Sequence, residues 1–492
     1  MTFSINPLFG LVLFPLIIVV HSILFKSKLE KDNFTKEALI ISSAITPLYS
    51  LYCLLLGHED FSSILNGYTL NFVVSVFPFE GIVTFLLDKF SLIFVVLTAF
   101  TVHICMFVNY NMSNKKYVEM FILLMLIQSI LTLAFLTNNI IAFYMLFELV
   151  LIPIFFIIGI WGSRNRKVLA AFQLFLYTLF GSLFMVFAIA YIYVTKGTLV
   201  LNDLIGTDWS FLEERLLWCA FFLAFAIKIP MVPFHTWLPE AHVEAPTSGS
   251  VLLAALLLKL GTFGLIKYSL ALFPDASWYF APFVYLVSLI SILYSSLTTL
   301  RQIDLKKIIA YSSVGHMNFI TLGIFSFNVQ GLDGALLIMV SHAFISSTLF
   351  ILVGSLYDKY HTRVLKYYRG LTVFMPILST VFFIAVLGNL SMPGTSNFVG
   401  EFLILIGTFQ KSPTTAVIAG LSIISTAAYS IWLYNRVFMG RLSIHIHQTR
   451  DINYDMTLPV SIVLIFLFIG LGVYPKILLE SHMTPLLIKT QL

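Results

Sequence analysis

The chain has 492 residues, of which 59% are hydrophobic and 10% charged, with a formal net charge of +5. Its mean hydropathy is +0.97, whereas a soluble domain carries roughly 25% charged residues. A water-facing surface is therefore excluded, and the chain reads as a polytopic membrane protein. Apolar stretches of about 20 residues favour helices over a barrel of short alternating strands.

In chain order, MTFSINPLFGLVLFPLIIVVHSILF has no basic leader and no Arg- and Ser-rich transit character, and reads as the first membrane helix. Hydropathy then places spans near 8–25, 38–56, 82–108, 117–136, 138–160, 168–194, 216–233, 248–270, 279–299, 305–326, 333–357, 372–410, 414–438 and 457–479. The expected fold is an all-α bundle of about fourteen transmembrane helices in a single transmembrane domain. The twelfth stretch is too long for one straight span, and GNLSMPGTSNF predicts a break near Pro393.

The basic residues test this count. With the loops numbered in order, the odd ones hold the clusters Lys26–Lys36, Lys115–Lys116, Arg164–Lys167, Arg301–Lys307, Lys359–Arg369 and Arg436–Arg450. The even ones hold Lys196, Arg215, Lys267 and Lys411. Such segregation predicts that the odd loops face the compartment of synthesis and both termini face away from it.

A few ionisable residues remain inside the spans. At about 1.5 Å per residue, Glu148, Lys228, Lys259, His316 and His342 fall about 14–18 Å into their helices, near the midplane of a core about 30 Å thick. Glu401 follows the expected break in the twelfth span. A charge at such depth costs at least about 2.5–3.5 kcal/mol, so these side chains are expected to face the protein interior. A structural ion pair explains any one of them. A proton or ion path explains the group at a common depth.

The proline-broken segments sharpen that reading. FAIKIPMVPFHTWLPEAHVEAPTSGS interrupts the seventh span at Pro230 and Pro233, and GNLSMPGTSNFVGEF interrupts the twelfth at Pro393. Paired interrupted helices point to an internal repeat and a midplane ion site. The backbone groups freed at each break need protein or water, because lipid supplies no partner. At an effective dielectric of about 20, a carboxylate 4 Å from Lys228 would be worth roughly 4 kcal/mol. Glu148 moving towards or away from Lys228 could therefore load or release a proton.

Other signals are weaker. Cys53, Cys105 and Cys219 have no spacing for a disulfide framework or an iron–sulfur cluster. His235, Glu240, His242 and Glu244 match no zinc pattern and read as a structured loop. The HIH at His445 to His447 also reads as a loop. His103, His316 and His342 lack the repeated pairing that haem ligation needs. Asp304, Lys306 and Lys307 read as a helix start, and Asp333 reads as an N-cap.

The stretches KIPMVPFHTWLPEAHVEAPTSGSVLLAALLLKLG, DLKKIIAYSSVGHMN, SHAFISSTLF and GNLSMPGTSNFVGEF resemble the antiporter-like membrane subunits of respiratory complex I. The resemblance runs from the third span onwards. It implies three N-terminal helices in 1–110, two inverted five-helix repeats in 117–270 and 279–438, and a C-terminal helix in 457–492. Each repeat would contain one discontinuous helix, the seventh and the twelfth. Matched by motif, Glu148 is the family's fifth-helix glutamate and Lys228 its seventh-helix lysine partner. Lys259 is the central connecting lysine, His316 and His342 are relay histidines, and Glu401 is an exit-side glutamate where sister subunits typically carry lysine.

The resemblance further implies proton movement driven by quinone reduction elsewhere in the assembly. No cofactor is expected in this chain; NADH, FMN, iron–sulfur clusters and quinone belong to partner subunits. The expected partners are the other antiporter-like and core subunits together with membrane lipid, with no nucleic acid and no homo-oligomer. Phe-, Ile- and Tyr-rich composition favours a mitochondrial inner membrane over a bacterial one. The alternative reading is a subunit of a multisubunit cation/proton antiporter, driven by the gradient itself.

Overall fold

The computed structural model describes residues 7–30, 35–56, 69–76, 79–443, 451 and 456–479. Among these, nine helices are long and apolar enough to cross a membrane, and three apolar helices are shorter. The chain divides into two compact units, residues 1–162 with 178–224 and residues 163–177 with 225–492.

The first unit contains α1 (Pro7–Leu24), α2 (Thr35–Leu56), α3 (Lys89–Val108), α4 (Asn114–Leu136) and α5 (Ile140–Trp161). It also takes the later part of α6 (Lys167–Lys196) and most of α7 (Phe211–Lys228). Pro47 inside α2 cannot donate to the Ser43 carbonyl four residues back. Thr46 Oγ1 donates there instead, at 2.9 Å. At the start of α5, Asn139 Oδ1 accepts from the Ile141 and Ala142 amides at 3.1 and 3.4 Å, capping the helix. Pro153 has no amide for the Leu149 carbonyl, and α5 is interrupted at Val150.

Two strands correct the all-α expectation. β1 (Thr69–Val76) pairs antiparallel with β2 (Phe79–Leu86), with Thr69 opposite Leu86 and Val76 opposite Phe79. Hydropathy alone assigned 82–86 to the third span, which instead starts at Lys89. The segments NFVV and IVTF are rich in β-branched and aromatic residues, a composition that a hydropathy window cannot tell from a helix. The Thr84 carbonyl accepts from the Asn138 amide at 2.9 Å, tying β2 to the α4–α5 turn.

The second unit contains α8 (Trp237–Glu244), α9 (Thr247–Leu272), α10 (Pro274–Thr299), α11 (Leu305–Ile324) and α12 (Val329–Tyr360). It continues with α13 (Pro376–Asn389), α14 (Ser396–Lys411), α15 (Pro413–Phe438) and α16 (Thr457–Val473). Helices α10, α13 and α15 open on a proline, whose missing amide costs nothing in a first turn. Asp304 caps α11 through the Lys306 amide at 3.0 Å, as its sequence suggests. Asn328, not Asp333, caps α12, accepting from the Gly331 amide at 2.8 Å. Asp333 lies one turn further in.

Helix α9 is the buried centre of this unit, and its α-winding is widened into π turns at Leu253–Leu257 and Leu265–Ser269. Helices α12 and α14 meet backbone to backbone: a Cβ on Gly334 would stand 2.6 Å from the Gly400 carbonyl oxygen. That approach holds α14 close to α12 one residue before Glu401.

Both interruptions follow from prolines. Helix α7 ends at Lys228, and the chain re-enters helix at Trp237. The Ile227 carbonyl accepts from Trp237 Nε1 at 2.9 Å, and the Pro230 carbonyl accepts from Asn318 Nδ2 at 3.5 Å. The Val232 amide donates to Ser291 Oγ at 2.9 Å. Protein side chains thus take these freed backbone groups. In the other interruption, Pro393 cannot donate to the Asn389 carbonyl, and α13 stops at Asn389. Gly394 turns the chain at φ +98°, a region open chiefly to glycine, before α14 begins.

A buried string of ionisable side chains

Four of the six sequence-nominated residues are brought together inside the second unit. Lys259 on α9 is fully buried. The π turn just before it leaves the carbonyls out of α-register. Lys259 Nζ donates to one of them, Ala254, at 2.6 Å. The same nitrogen lies 2.7 Å from His342 Nδ1 on α12. The next ring, His316 on α11, has its centroid 5.6 Å from that of His342, with the planes inclined at 55°. His316 Nδ1 then lies 3.1 Å from Glu401 Oε1 on α14.

The other nitrogen of His316 faces an amide. His316 Nε2 lies 3.2 Å from Asn389 Oδ1, at the end of α13. In this orientation the amide oxygen only accepts, which matches it to a protonated Nε2. Nδ1 then faces a carboxyl oxygen. Either the imidazolium donates to a carboxylate, or a protonated carboxyl donates to neutral imidazole. In both states one proton is held between His316 and Glu401.

Lys228 is also fully buried, at the end of α7. Its neighbour on α9 is Gly261, two residues beyond Lys259. A Cβ there would lie 3.2 Å from Lys228 Cβ and 2.9 Å from Ile229 Cγ1. Glu148 lies within the first unit, half-buried on α5, one turn after Tyr144. Its Oε1 is buried with no hydrogen-bond partner among the described residues. The Tyr144 phenol is close enough to interact with both Glu148 and Ser182.

Sequence reasoning did not nominate Asn389, Tyr429 or Ser312. The buried Tyr429 side chain stands beside Asn389, Ser312 and Glu401 and interacts with all three. Asn389 had a signal, since it opens the proline-broken stretch; Tyr429 and Ser312 had none.

A second polar cluster surrounds α8. Lys306, taken from sequence as part of a helix start, is buried and donates to the Ala245 carbonyl at 2.8 Å and Ser250 Oγ at 3.2 Å. Arg363 is fully buried, donates to the Val243 carbonyl and lies 3.9 Å from Asp304, which Arg164 approaches to 3.8 Å. Burial pulls the Arg363 guanidinium below its ordinary range, and Asp304 and Glu244 oppose that shift. His242 stacks flat on Phe350 at 4.7 Å, and His235 meets Tyr294 edge-on at 5.2 Å. His445 to His447 lie outside the described residues.

Interrupted membrane helices around a buried lysine–histidine–histidine–glutamate string define a polytopic membrane protein that keeps ionisable groups inside its bundle. A family model described as NADH:quinone oxidoreductase/Mrp antiporter, transmembrane, matches residues 137–426. The chain belongs to that family. The NADH-ubiquinone oxidoreductase chain 4 of Marchantia polymorpha is 47% identical, over 97% of this chain and 96% of its own length. The protein of the same name from Arabidopsis thaliana is 49% identical, over 90% and 89%. A chain in respiratory complex I from Thermus thermophilus with bound NADH superposes with a TM-score of 0.85 at 26% identity, covering 98% of both chains. A chain of the Mrp complex from Dietzia sp. gives 0.83 at 18% identity over 99% and 97%, a likeness of fold alone.

Proposed function

We propose that this chain is a proton-translocating membrane-arm subunit of an NADH:quinone oxidoreductase of the respiratory complex I type. The observation that carries the reading is the buried string Lys259–His342–His316–Glu401, in which two of the three steps are hydrogen-bond contacts. Packing alone has no use for so many ionisable groups at one depth. Protons pass along this string, and Lys228 sets the charge at its head under the influence of Glu148. Moving one charge against 100 mV costs about 2.3 kcal/mol, which the remote redox chemistry supplies.

The fold in this proposal has fourteen spans, counting α7 with α8 and α13 with α14 as one each. The spans in 117–270 and 279–438 form two inverted five-helix repeats, each with one interrupted helix. The three preceding spans and the C-terminal one flank them. The basic odd loops face the matrix or cytoplasm, and the membrane is the mitochondrial inner membrane. NADH, FMN, iron–sulfur clusters and quinone are held by partner subunits, the other antiporter-like and core subunits of the complex.

The test is Glu148→Gln or Lys228→Ala in the assembled complex, with assembly measured alongside. Loss of proton uptake is the expected result. Wild-type NADH oxidation and wild-type coupled proton uptake together would overturn the roles. A gradient-driven cation/proton antiporter subunit has the same fold; purification with other small membrane proteins, and without flavin or NADH-oxidising clusters, would favour that reading.

A further inference from the structure

The His316–Glu401 pair has neutral neighbours that do more than fill space. Asn389 presents Oδ1 to His316 Nε2 at 3.2 Å, and its Nδ2 lies 3.5 Å from Ser430 Oγ. The buried Tyr429 side chain stands beside the same amide and Ser312, and its phenol interacts with both. Asn389 is the last residue of α13, and Tyr429 and Ser430 sit on α15, so two helices clamp the amide. Beside His316 lies a small cavity of about 10 Å³, lined in part by Ser295, Ser296, Ser312, Thr426 and Tyr429. The four Ser and Thr hydroxyls donate to carbonyls of their own helices, so their remaining lone pairs line the cavity as acceptors.

We propose that Asn389, oriented by Tyr429, is a positioning residue that fixes the proton of His316 on Nε2 and so makes the His316–Glu401 pair a one-proton latch. With Nε2–H committed to Asn389, an empty pair would set the Nδ1 lone pair against a carboxylate 3.1 Å away. That state is repulsive, so the pair keeps its proton until the ring or the amide turns. If the amide flipped, Nδ2 would donate to Nε2, neutral His316 would carry its own proton on Nδ1 facing ionised Glu401, and the extra proton of the pair would pass to His342, the next base in the string. The amide orientation therefore decides whether the pair keeps its extra proton.

The titratable groups facing His316 are Glu401 on α14, His342 on α12 with Lys259 behind it on α9, and Tyr429 on α15. Helix α10 contributes the hydroxyls of Ser295 and Ser296, and α13 contributes the Asn389 amide. A carboxylate in place of that amide would stabilise the imidazolium; an alkyl group would remove its acceptor.

This inference rests on the proton-relay reading, and the experiment separates the two. Proton uptake per NADH oxidised is measured against pH in the assembled complex for Asn389→Asp, Asn389→Ala, Tyr429→Phe and Glu401→Gln. The alkaline limb should move up by about one pH unit in Asn389→Asp and down by about as much in Asn389→Ala. Tyr429→Phe should follow Asn389→Ala with a smaller shift. Profiles that superpose on wild type, or that move the same way in both Asn389 variants, overturn the latch. If the Asn389 variants do not assemble, Tyr429→Phe decides alone, since it removes one oxygen and little volume; no downward shift overturns the latch. Wild-type uptake in Glu401→Gln overturns the relay reading itself, whatever the other variants do.

Discussion

Lys259 on α9 and His342 on α12 stand 2.7 Å apart, nitrogen to nitrogen, with both side chains buried. Two nitrogen bases at that distance share one hydrogen bond, so one of them must present a lone pair. The contact therefore has room for one shared proton and not for two. It also joins α9, the most buried helix of the unit, to the long α12.

Replacing either partner breaks the string at its best-formed step. Lys259→Met keeps the length of the side chain and removes the titratable amine. Proton uptake should fall about a hundredfold, the low end of what a positioned acid–base group contributes. The measurement is proton uptake in sealed vesicles at a matched amount of assembled complex. An unchanged rate would show that protons bypass Lys259.

Gly261 is where α9 admits the end of α7. A Cβ there meets Ile229 Cγ1 at 2.9 Å and Lys228 Cβ at 3.2 Å. Gly261→Val should cost about 1–3 kcal/mol by overpacking and push Lys228 off its position. Both a lowered thermal midpoint of the complex and a lowered ratio of protons moved to NADH oxidised are expected.

Trp237→Phe probes how the first interruption is held. The indole nitrogen donates to the Ile227 carbonyl at 2.9 Å, next to Lys228. Phenylalanine leaves that buried carbonyl without its donor, at a cost of about 1–3 kcal/mol. Limited proteolysis or hydrogen exchange across 225–237 should report a looser segment, with proton uptake reduced and the complex still assembled.

The buried Arg363 needs Asp304. Asp304→Asn should destabilise the complex by about 3 kcal/mol, because it leaves a guanidinium buried without its carboxylate. Arg363→Met in the same chain should recover part of the loss. A double-mutant cycle on thermal stability checks this, and strictly additive losses would refute the coupling.

Legibility in the sequence followed the cost of each feature. Lys228, Lys259, His316, His342 and Glu401 stood out because charge is expensive inside an apolar run. Pro230 and Pro393 marked the interruptions because a missing amide has one local consequence. Asn389 and Tyr429 were silent in function, since neutral polar side chains cost a span little and their meaning lies in contacts between helices. The strands at 69–86 were missed because β-branched apolar residues raise hydropathy as a helix would. Lys306 was read as part of a helix start and Arg363 as a loop charge, although Lys306 is buried against the backbone that follows α8 and Arg363 against the backbone within it. The first π turn of α9 left no trace in VLLAALLLKLG, where neither proline nor a polar residue marks Leu253–Leu257.

Those two π turns give α9 a mechanical property. A π turn is a helix carrying one surplus residue, and returning it to ordinary pitch rotates what lies beyond by about 100° and shifts it by about 1.5 Å. One such turn lies on either side of Leu258–Gly264. That short block, with Lys259 and Gly261 on it, can swivel like a spindle between two slack couplings while the ends of α9 stay seated. Hydrogen bonds are exchanged along the way and none need be exposed to lipid.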